Sequence, residues 1–289
     1  MNFNTLKLLC ALSALTVSCT LHAQTASDKD KIHERSSFTI DRPYKDLKIS
    51  RFSIIYKGEN DMMFNLMNRE VYSAQVEDYF INPTGASLAV ISKNGKTVYV
   101  VSNRTKDEII SEIKDSKRVN PLITEKEKKE IPLISAITYS SDAREILTAN
   151  TFGEITTYST DGYAKISSIN AGKVYEHIAI SPNKYFIAAA HGSEMDIWNV
   201  ETADLKRIVR FAGHINDIEF SPDSRQIAVS CDTAGLHLVN SLDYHRNTVT
   251  SGIQNIVQAS FHPDGKYIAY AKKDSVIIYN TINRSTVYR

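Results

Sequence analysis

The sequence of 289 residues lacks an apolar run long enough to cross a membrane. Its longest apolar stretch, Leu8–Val17, has about ten residues, which is typical of a signal peptide. Leu21-His22-Ala23 follows and resembles the small-x-small site cut by signal peptidase. We therefore expect a signal peptide over residues 1–23 and a soluble exported chain, periplasmic or secreted, that begins at Gln24.

A lipid anchor is the alternative to soluble export. Thr16-Val17-Ser18-Cys19 resembles a lipobox, although threonine stands where leucine is usual. Cys19 would then be acylated and would hold the chain at a membrane surface. Contact with a membrane is expected only in that case.

Cysteine is scarce, with three residues in the chain, and Cys10 and Cys19 fall inside the expected signal peptide. An exported domain with one remaining thiol has no disulfide framework, so its own core must hold it together. Residues 24–289 are long enough to build such a core. Cys231 follows an apolar stretch, and we expect it to be a small buried apolar side chain.

An excess of one charge is also missing. Lys and Arg number 34 and Asp and Glu number 33, which gives a net charge of +1. A surface without a basic excess does not attract nucleic acid or anionic lipid. We therefore expect no nucleic-acid partner.

Catalytic and metal-binding motifs are absent as well. The eight histidines include no His-x-His or His-Glu-x-x-His pair, and no Gly-x-Ser-x-Gly or phosphate-binding glycine loop occurs. We predict no catalytic, cofactor-binding or metal-binding residue, no cofactor and no enzyme activity. The alternative is a hydrolase or lactonase-like enzyme whose carboxylates face a central channel and bind a cation. The candidates, whose simpler role is to cap turns, are Asp61, Asp142, Asp232 and Asp274.

The sequence does contain a motif that repeats about every 40 residues. An apolar stretch, a polar turn and a second apolar stretch follow one another, with anchors spaced by 58, 41, 40 and 41 residues. A fixed period in this range, with four short strands in each unit, is typical of propeller blades. The anchors are Pro83, Ser141, Pro182, Pro222 and Pro263.

The repeats predict an all-β fold, a single propeller over residues 43–289 preceded by an N-terminal segment of residues 24–42. Counting by the period gives about six four-stranded blades, and five or seven need one misread segment. The blades are expected to start near residues 43, 76, 133, 174, 213 and 254. We also expect Ser37–Ile40 to donate a strand that helps to close the ring.

The repeats resemble the WD40 type over most of Tyr72–Arg289. Gly213–Asp223 has that family's Gly-His opening and its later Ser-Pro-Asp turn, and Trp198-Asn199 stands where the family has Trp-Asp. The resemblance implies a hydrogen-bonded set of His, Ser, Asp and Trp in each blade, but Val239 occupies the Trp position after His214, and Val174 the His position before Trp198. The implied structural motif residues are Trp198, Gly213, His214, Ser230 and Asp232.

A second repeat resembles another family. Phe261–Tyr270 is similar to the repeat of TolB-type periplasmic propellers, which are six-bladed, exported and bind envelope proteins. Both families are interaction platforms. The resemblances therefore imply a non-catalytic, exported scaffold whose partners are envelope proteins of unknown identity. A sugar-binding or peptide-binding module is a further alternative.

The longest interval between anchors contains a highly charged segment, Thr105–Glu130. Its charges alternate in sign, and its isoleucines at 109, 110 and 113 have helix-like spacing, so we expect a solvated excursion with a short helix. Loops on a propeller rim carry specificity, which makes this segment the expected partner loop. Its candidate contact residues are Lys106, Glu108, Lys114, Lys117, Arg118 and Lys128.

Overall fold

The structure is a computed structural model. It describes residues 17–22, 34–40, 44–49, 54–58, 62–65, 70–102 without 85 and 93, 109–114, 132–250, 256–272 and 275–288. Side chains are described for residues 79–100 without 85 and 93, 132–250, 256–271 and 276–287. Within these residues the regular secondary structure is entirely β, which confirms the predicted all-β class. None of them forms a helix that is long and apolar enough to cross a membrane.

The N-terminal strands form two sheets. The first has two strands, β1 (Val17–His22) and β2 (Glu34–Ile40), which pair with each other. β2 contains Ser37–Ile40, the segment expected to donate a strand that closes the ring, but within the described residues this segment pairs with β1 and not with a strand of another sheet. The second sheet has seven strands: β3 (Tyr44–Ile49), β4 (Ile54–Gly58), β5 (Met62–Asn65), β6 (Glu70–Ile81), β7 (Ser87–Ser92), β8 (Thr97–Ser102) and β9 (Ile109–Lys114).

The remaining strands form four sheets of four strands each, here numbered I to IV. Sheet I contains β10 (Ile134–Tyr139), β11 (Glu145–Asn150), β12 (Glu154–Ser159) and β13 (Lys165–Asn170). Sheet II contains β14 (His177–Ile180), β15 (Phe186–His191), β16 (Glu194–Asn199) and β17 (Leu205–Arg210). Sheet III contains β18 (Ile215–Phe220), β19 (Gln226–Cys231), β20 (Gly235–Asn240) and β21 (Arg246–Thr248). Sheet IV contains β22 (Ile256–Phe261), β23 (Tyr267–Lys272), β24 (Ser275–Asn280) and β25 (Ser285–Tyr288).

Every sheet is an antiparallel meander in which each strand pairs with its neighbours in the chain. The seven-stranded sheet contains two meanders that share the twelve-residue strand β6. The first half of β6, from Glu70 to Gln75, pairs with β5, and its second half, from Val76 to Ile81, pairs with β7. The architecture is consistent with the predicted propeller.

The polar turn of the repeated sequence motif is closed by its own hydrogen bonds. Ser221 Oγ donates to Asp223 Oδ1 at 2.6 Å and accepts from the Gln226 N–H at 2.9 Å, which closes the turn between β18 and β19. Pro222 fixes the φ angle that the first central position of a type I turn requires. The turn ends on a residue with positive φ, and the corresponding residues in sheets I to IV are Ala143, Lys184, Ser224 and Gly265. This local chemistry explains why similar residues recur at the turn of each repeat.

The inner strands are buried on both faces, as strands between neighbouring sheets should be. In β15 the four residues Ile187–Ala190 are all buried, and β12, β16, β19 and β20 show similar runs. Separate apolar clusters join successive sheets, such as the one that packs Ile197 of β16 against Phe220 of β18. Burial of each apolar side chain contributes about 1.5–3 kcal/mol, so these clusters hold the sheets together.

The helix expected within Thr105–Glu130 is wrong for the part that the structure describes. Residues 109–114 form β9, whose Ile113 lies opposite Val98 of β8. Residues four apart share a face in a regular strand as well as in a helix, so the spacing of Ile109 and Ile113 does not distinguish the two. In β9 itself the register shifts between Ser111 and Ile109, which lie opposite Val100 and Val101. Because residues 109–114 pair with β8, they form a strand and not a helix.

Candidate functional site

The Trp-Asn pair of the predicted blade motif lies at the end of β16. Trp198 is buried, and Asn199 Oδ1 accepts from the backbone N–H and the hydroxyl of Thr202 at 2.8 and 3.0 Å. Asn240 and Asn280 accept from N–H groups in the same turn of sheets III and IV. Asparagine therefore performs the turn-capping role in three successive sheets, whether or not tryptophan precedes it.

Trp198 belongs to a buried hydrogen-bonded network between sheets I and II. Its Nε1 donates to the Tyr175 hydroxyl at 3.2 Å, and that hydroxyl donates to Asp196 Oδ2 at 2.7 Å. Lys173 Nζ lies 3.0 Å from Asp196 Oδ2 and 3.4 Å from Glu194 Oε2. Tyr175 and Asp196 are each 1% exposed, so these groups satisfy one another away from water.

The sequence interpretation included Trp198 in the blade motif but did not include its partners Tyr175, Asp196 and Lys173. It placed the missing histidine at Val174, whereas the neighbouring Tyr175 supplies the hydrogen bond to Trp198. Asp196 lies two residues before Trp198 and therefore on the same face of β16. A carboxylate inside an otherwise apolar strand, in register with the tryptophan, was the signal that could have found it.

The electrostatics of the network fix its charge state. Burial, together with the hydrogen bond and charge of Asp196, raises the pKa of Tyr175 well above its ordinary value, so the hydroxyl stays protonated. Burial alone lowers the pKa of Lys173, but the hydrogen bonds and charges of Asp196 and Glu194 outweigh it and raise the pKa. The buried carboxylate is thus compensated by a cation, and the network joins the segment between β13 and β14 to β16 of sheet II.

The other predicted motif residues do not form one hydrogen-bonded set. His214 Nε2 lies 3.1 Å from Glu176 Oε2, and both side chains are about half exposed. Ser230 Oγ is buried without a hydrogen-bond partner among the described residues. Asp232 donates its backbone N–H to the His214 carbonyl at 3.0 Å, while its carboxylate accepts from Thr233. The backbone bond brings Asp232 next to His214, but the side chains of His214, Ser230 and Asp232 do not bond to one another.

Gly213 lies close to the side chains of the turn after β19. A Cβ at this position would collide with Thr233 Oγ1 and Asp232 Oδ1. The glycine therefore lets the segment before β18 lie against the turn between β19 and β20. This contact gives a physical reason for the Gly-His opening of the repeat.

The candidate channel carboxylates lie in turns where they are described. Asp142 Oδ1 accepts from Ser140 Oγ at 2.6 Å, and Lys184 Nζ lies 2.9 Å from its Oδ2. Burial would raise the pKa of Asp142, but these hydrogen bonds and the Lys184 charge lower it to about 2. Asp232 caps the turn after β19, and Asp61 and Asp274 lie outside the described residues. Among the residues that the structure describes, no three metal-ligating side chains come together.

Two other features of the described residues are a buried cysteine and a small cavity. Cys231 is fully buried, which confirms the prediction, and burial raises the pKa of its thiol to about 12. A small cavity beside Ser260 and Tyr270 has room for about one water molecule. Neither feature accommodates a substrate.

The expected partner loop falls mostly outside the described residues. Lys114 is the last residue of β9 and lies opposite Thr97. The other five candidates, Lys106, Glu108, Lys117, Arg118 and Lys128, lie outside the described residues. Their role as contact residues stays a prediction.

A comparison with known families matches one repeat. Residues 205–234 match the model described as "WD domain, G-beta repeat". The chain carries a WD40-like repeat. The match covers β17, β18 and β19 and ends just before β20, the strand in which Val239 replaces the family's tryptophan. Proteins with this repeat are in general interaction scaffolds and typically non-catalytic.

Solved structures support the fold. One chain of Kuenenia stuttgartiensis hydrazine synthase is similar with a TM-score of 0.58 and 17% sequence identity, covering 79% of this chain and 73% of that one. In total 1713 solved chains match, so the fold alone selects no function. No curated protein matches the sequence.

Proposed function

We propose that this chain is a non-catalytic interaction scaffold, exported to the cell envelope, built as a closed propeller of six blades. Splitting β6 between its two meanders gives two blades from the seven-stranded sheet, and sheets I to IV supply four more. Each blade then has four strands. Closure brings the first blade against sheet IV, which removes the two sheet faces that an open ring exposes.

Among the described residues the three most exposed large apolar side chains lie on one rim, and this is the observation that carries the scaffold proposal. Three others, at the opposite edge, are 38–42% exposed, and they are Leu133, Phe152 and Val174. Leu242 and Ile282 are 68% and 70% exposed, and each lies two residues past the capping asparagine of its sheet. In a meander the turn after the first strand lies at the same edge, and there Tyr185 is 62% exposed. Large apolar groups that recur on one rim favour a surface that a partner covers.

The test is capture of partners in whole cells of the host. The tagged chain is crosslinked and the proteins that copurify in stoichiometric amount are identified. Leu242→Ser with Ile282→Ser is expected to reduce capture, because both side chains lie in the proposed contact. Ile166→Ser is the matched control, since Ile166 is 54% exposed on the outer strand β13.

The proposal fails if the wild-type chain captures no stoichiometric partner and instead turns over a substrate. The rim assignment fails if the control reduces capture as much as the double variant. Neutral substitutions at Lys117, Arg118 and Lys128 test the partner loop in the same experiment. They are preferable to deleting Thr105–Glu130, because that deletion removes β9.

Export is proposed from the N-terminal pattern and has its own test. The mass of the N-terminal peptide distinguishes a chain that begins at Gln24 from one that begins at an acylated Cys19. Cleavage after Ala23 removes β1 and leaves β2 without the strand it pairs with. A chain that retains its first 23 residues in the cell contradicts the export proposal.

A further inference from the structure

Two arginines lie across the outer edges of sheets II and III. The Arg207 guanidinium of β17 lies 6.0 Å from the ring centroid of Tyr244, in the turn before β21. Arg246 of β21 lies 5.6 Å from the ring centroid of Phe211, the residue after β17. Each sheet thus supplies one cation and one aromatic ring. We call these four residues the arginine groove.

The two cations of the arginine groove differ from their neighbours in having no carboxylate partner. Lys206 Nζ lies 3.3 Å from Asp204, and Arg210 Nε lies 2.7 Å from Glu194. Among the described residues Arg207 and Arg246 form no salt bridge, and both are exposed. Arg246 donates one hydrogen bond, to the Arg210 carbonyl at 3.0 Å. A guanidinium has five N–H donors, so the described residues leave most of them available to a ligand.

The aromatic rings hold these cations in place. Phe211 is 7% exposed and lies 5.3 Å, centroid to centroid, from the His237 ring beneath it. Tyr244 packs against the apolar cluster between sheets II and III. A cation that lies against a packed ring has less rotamer freedom, so less rotamer entropy is lost when it binds an anion.

The arrangement of the two cations indicates the kind of anion. Arg207 and Arg246 belong to two different outer strands, and each guanidinium lies at its own aromatic ring, that of Tyr244 or that of Phe211. A ligand with two separate anionic groups can therefore place one group at each guanidinium. Carboxylates on alternate residues of an extended chain lie on one face and are separated by about 7 Å.

We propose that the arginine groove binds an extended acidic segment of a partner protein, with one carboxylate on each guanidinium. The inference rests on the proposed scaffold function and adds the chemistry of the partner. Planar guanidiniums pair with carboxylates through two parallel hydrogen bonds, so the groove recognises acidic side chains rather than negative charge in general.

Binding of a synthetic peptide tests the proposal. The probe is a fluorescein-labelled decapeptide of alternating Glu and Thr, titrated with the purified chain and followed by fluorescence anisotropy. We expect Arg207→Gln and Arg246→Gln each to weaken binding by about tenfold or more, since each removes a charge-assisted contact. Arg144→Gln, at an exposed arginine in a turn of sheet I, is the matched control and leaves binding unchanged.

Several outcomes overturn the proposal. They are no binding of the Glu-Thr peptide, equal binding of a Gln-Thr peptide, and equal loss with Arg144→Gln. Complete displacement by millimolar inorganic phosphate, with the same dependence on both arginines, indicates a site for a single anion and also overturns it. Arg207→Gln removes no hydrogen bond within the described residues, so a folded variant is expected and circular dichroism verifies it.

Crosslinking of the Arg207→Gln, Arg246→Gln double variant separates this inference from the scaffold proposal. If the wild-type chain and the double variant capture the same partner equally, the scaffold stands and the groove inference fails. If the wild-type chain captures no partner, the scaffold proposal itself fails. Loss of a captured partner in the double variant, with Arg144→Gln unaffected, supports both.

Discussion

Sheets II and III have the same strand topology, but they differ in how their buried polar groups are paired. Sheet II closes the Lys173, Asp196, Tyr175 and Trp198 network described above. The registers Ala189↔Asp196 and Val229↔His237 show which positions of the two sheets correspond. In sheet III those positions hold smaller or apolar residues, or a polar residue without a compensating charge. The corresponding pairs are Lys173 and Gly213, Tyr175 and Ile215, Asp196 and His237, and Trp198 and Val239.

The turns of the two sheets do not differ in this way. Ser181 and Ser221 donate to Asn183 and Asp223 at 2.7 and 2.6 Å, in turns of the same form. The comparison teaches that turn chemistry and apolar strands specify the backbone of a sheet. The polar interior is then free to change from one sheet to the next.

Removing the cation of sheet II is the largest expected effect. Lys173→Met leaves the buried Asp196 carboxylate with the Tyr175 hydroxyl as its remaining partner. We expect a loss of about 2–3 kcal/mol in the free energy of unfolding, below the range for fully buried pairs because the Lys173 side chain is 36% exposed. Urea unfolding measures it. Lys206→Met, in an exposed pair with Asp204, is the control and is expected to cost less than about 1 kcal/mol. Equal losses would contradict the assigned role of Lys173.

Adding a side chain at the corresponding position of sheet III is the next effect. Gly213→Ala places a Cβ against the Thr233 hydroxyl and the Asp232 carboxylate, so these two side chains must move. Overpacking of this kind costs about 1–3 kcal/mol. A combined Thr233→Gly substitution, which removes one of the two obstacles, is expected to recover part of the loss. No recovery in urea unfolding would show that the collision is not the cause.

The buried histidine of sheet III predicts a dependence on pH. Burial, followed by the charge of Arg246, lowers the pKa of His237 from its ordinary value of 6.5. Below pH 6.5 the unfolded chain therefore binds a proton that the folded chain does not, and stability falls as the pH drops toward the folded pKa, by at most about 1.4 kcal/mol per pH unit. Urea unfolding at pH 7.5 and 5.5 measures the decrease. His237→Gln is expected to reduce it, whereas His245→Gln, at an exposed turn position, is not. An unchanged decrease in His237→Gln assigns the effect to other groups.

The same contrast explains what could be predicted from sequence. The sheets were predictable because the Ser-Pro-Asp turn is a local structure that repeats wherever its residues occur. The polar network was not, because Tyr175 reaches Asp196 across 21 residues and its partner is set by packing between sheets. Ile109 and Ile113 were assigned to a helix because spacing of four residues fits both elements. The arginine groove depends on two neighbouring outer strands, which no single repeat reveals.

The smallest expected effect is at Ser230, and its sign decides how far the family motif applies. The resemblance implies that the Ser230 hydroxyl bonds within its blade, in which case Ser230→Ala destabilises the fold. In the structure Ser230 Oγ is buried without a partner among the described residues, and its counterpart in sheet II is Ala190, fully buried in the same place. Removing an unsatisfied buried hydroxyl is expected to stabilise the fold by up to about 1 kcal/mol. Ala190→Ser is the matched reverse change, and it is expected to cost about 1–3 kcal/mol because it buries a hydroxyl without a partner. Urea unfolding of the two variants compares them directly, and destabilisation by Ser230→Ala would restore the family motif in sheet III.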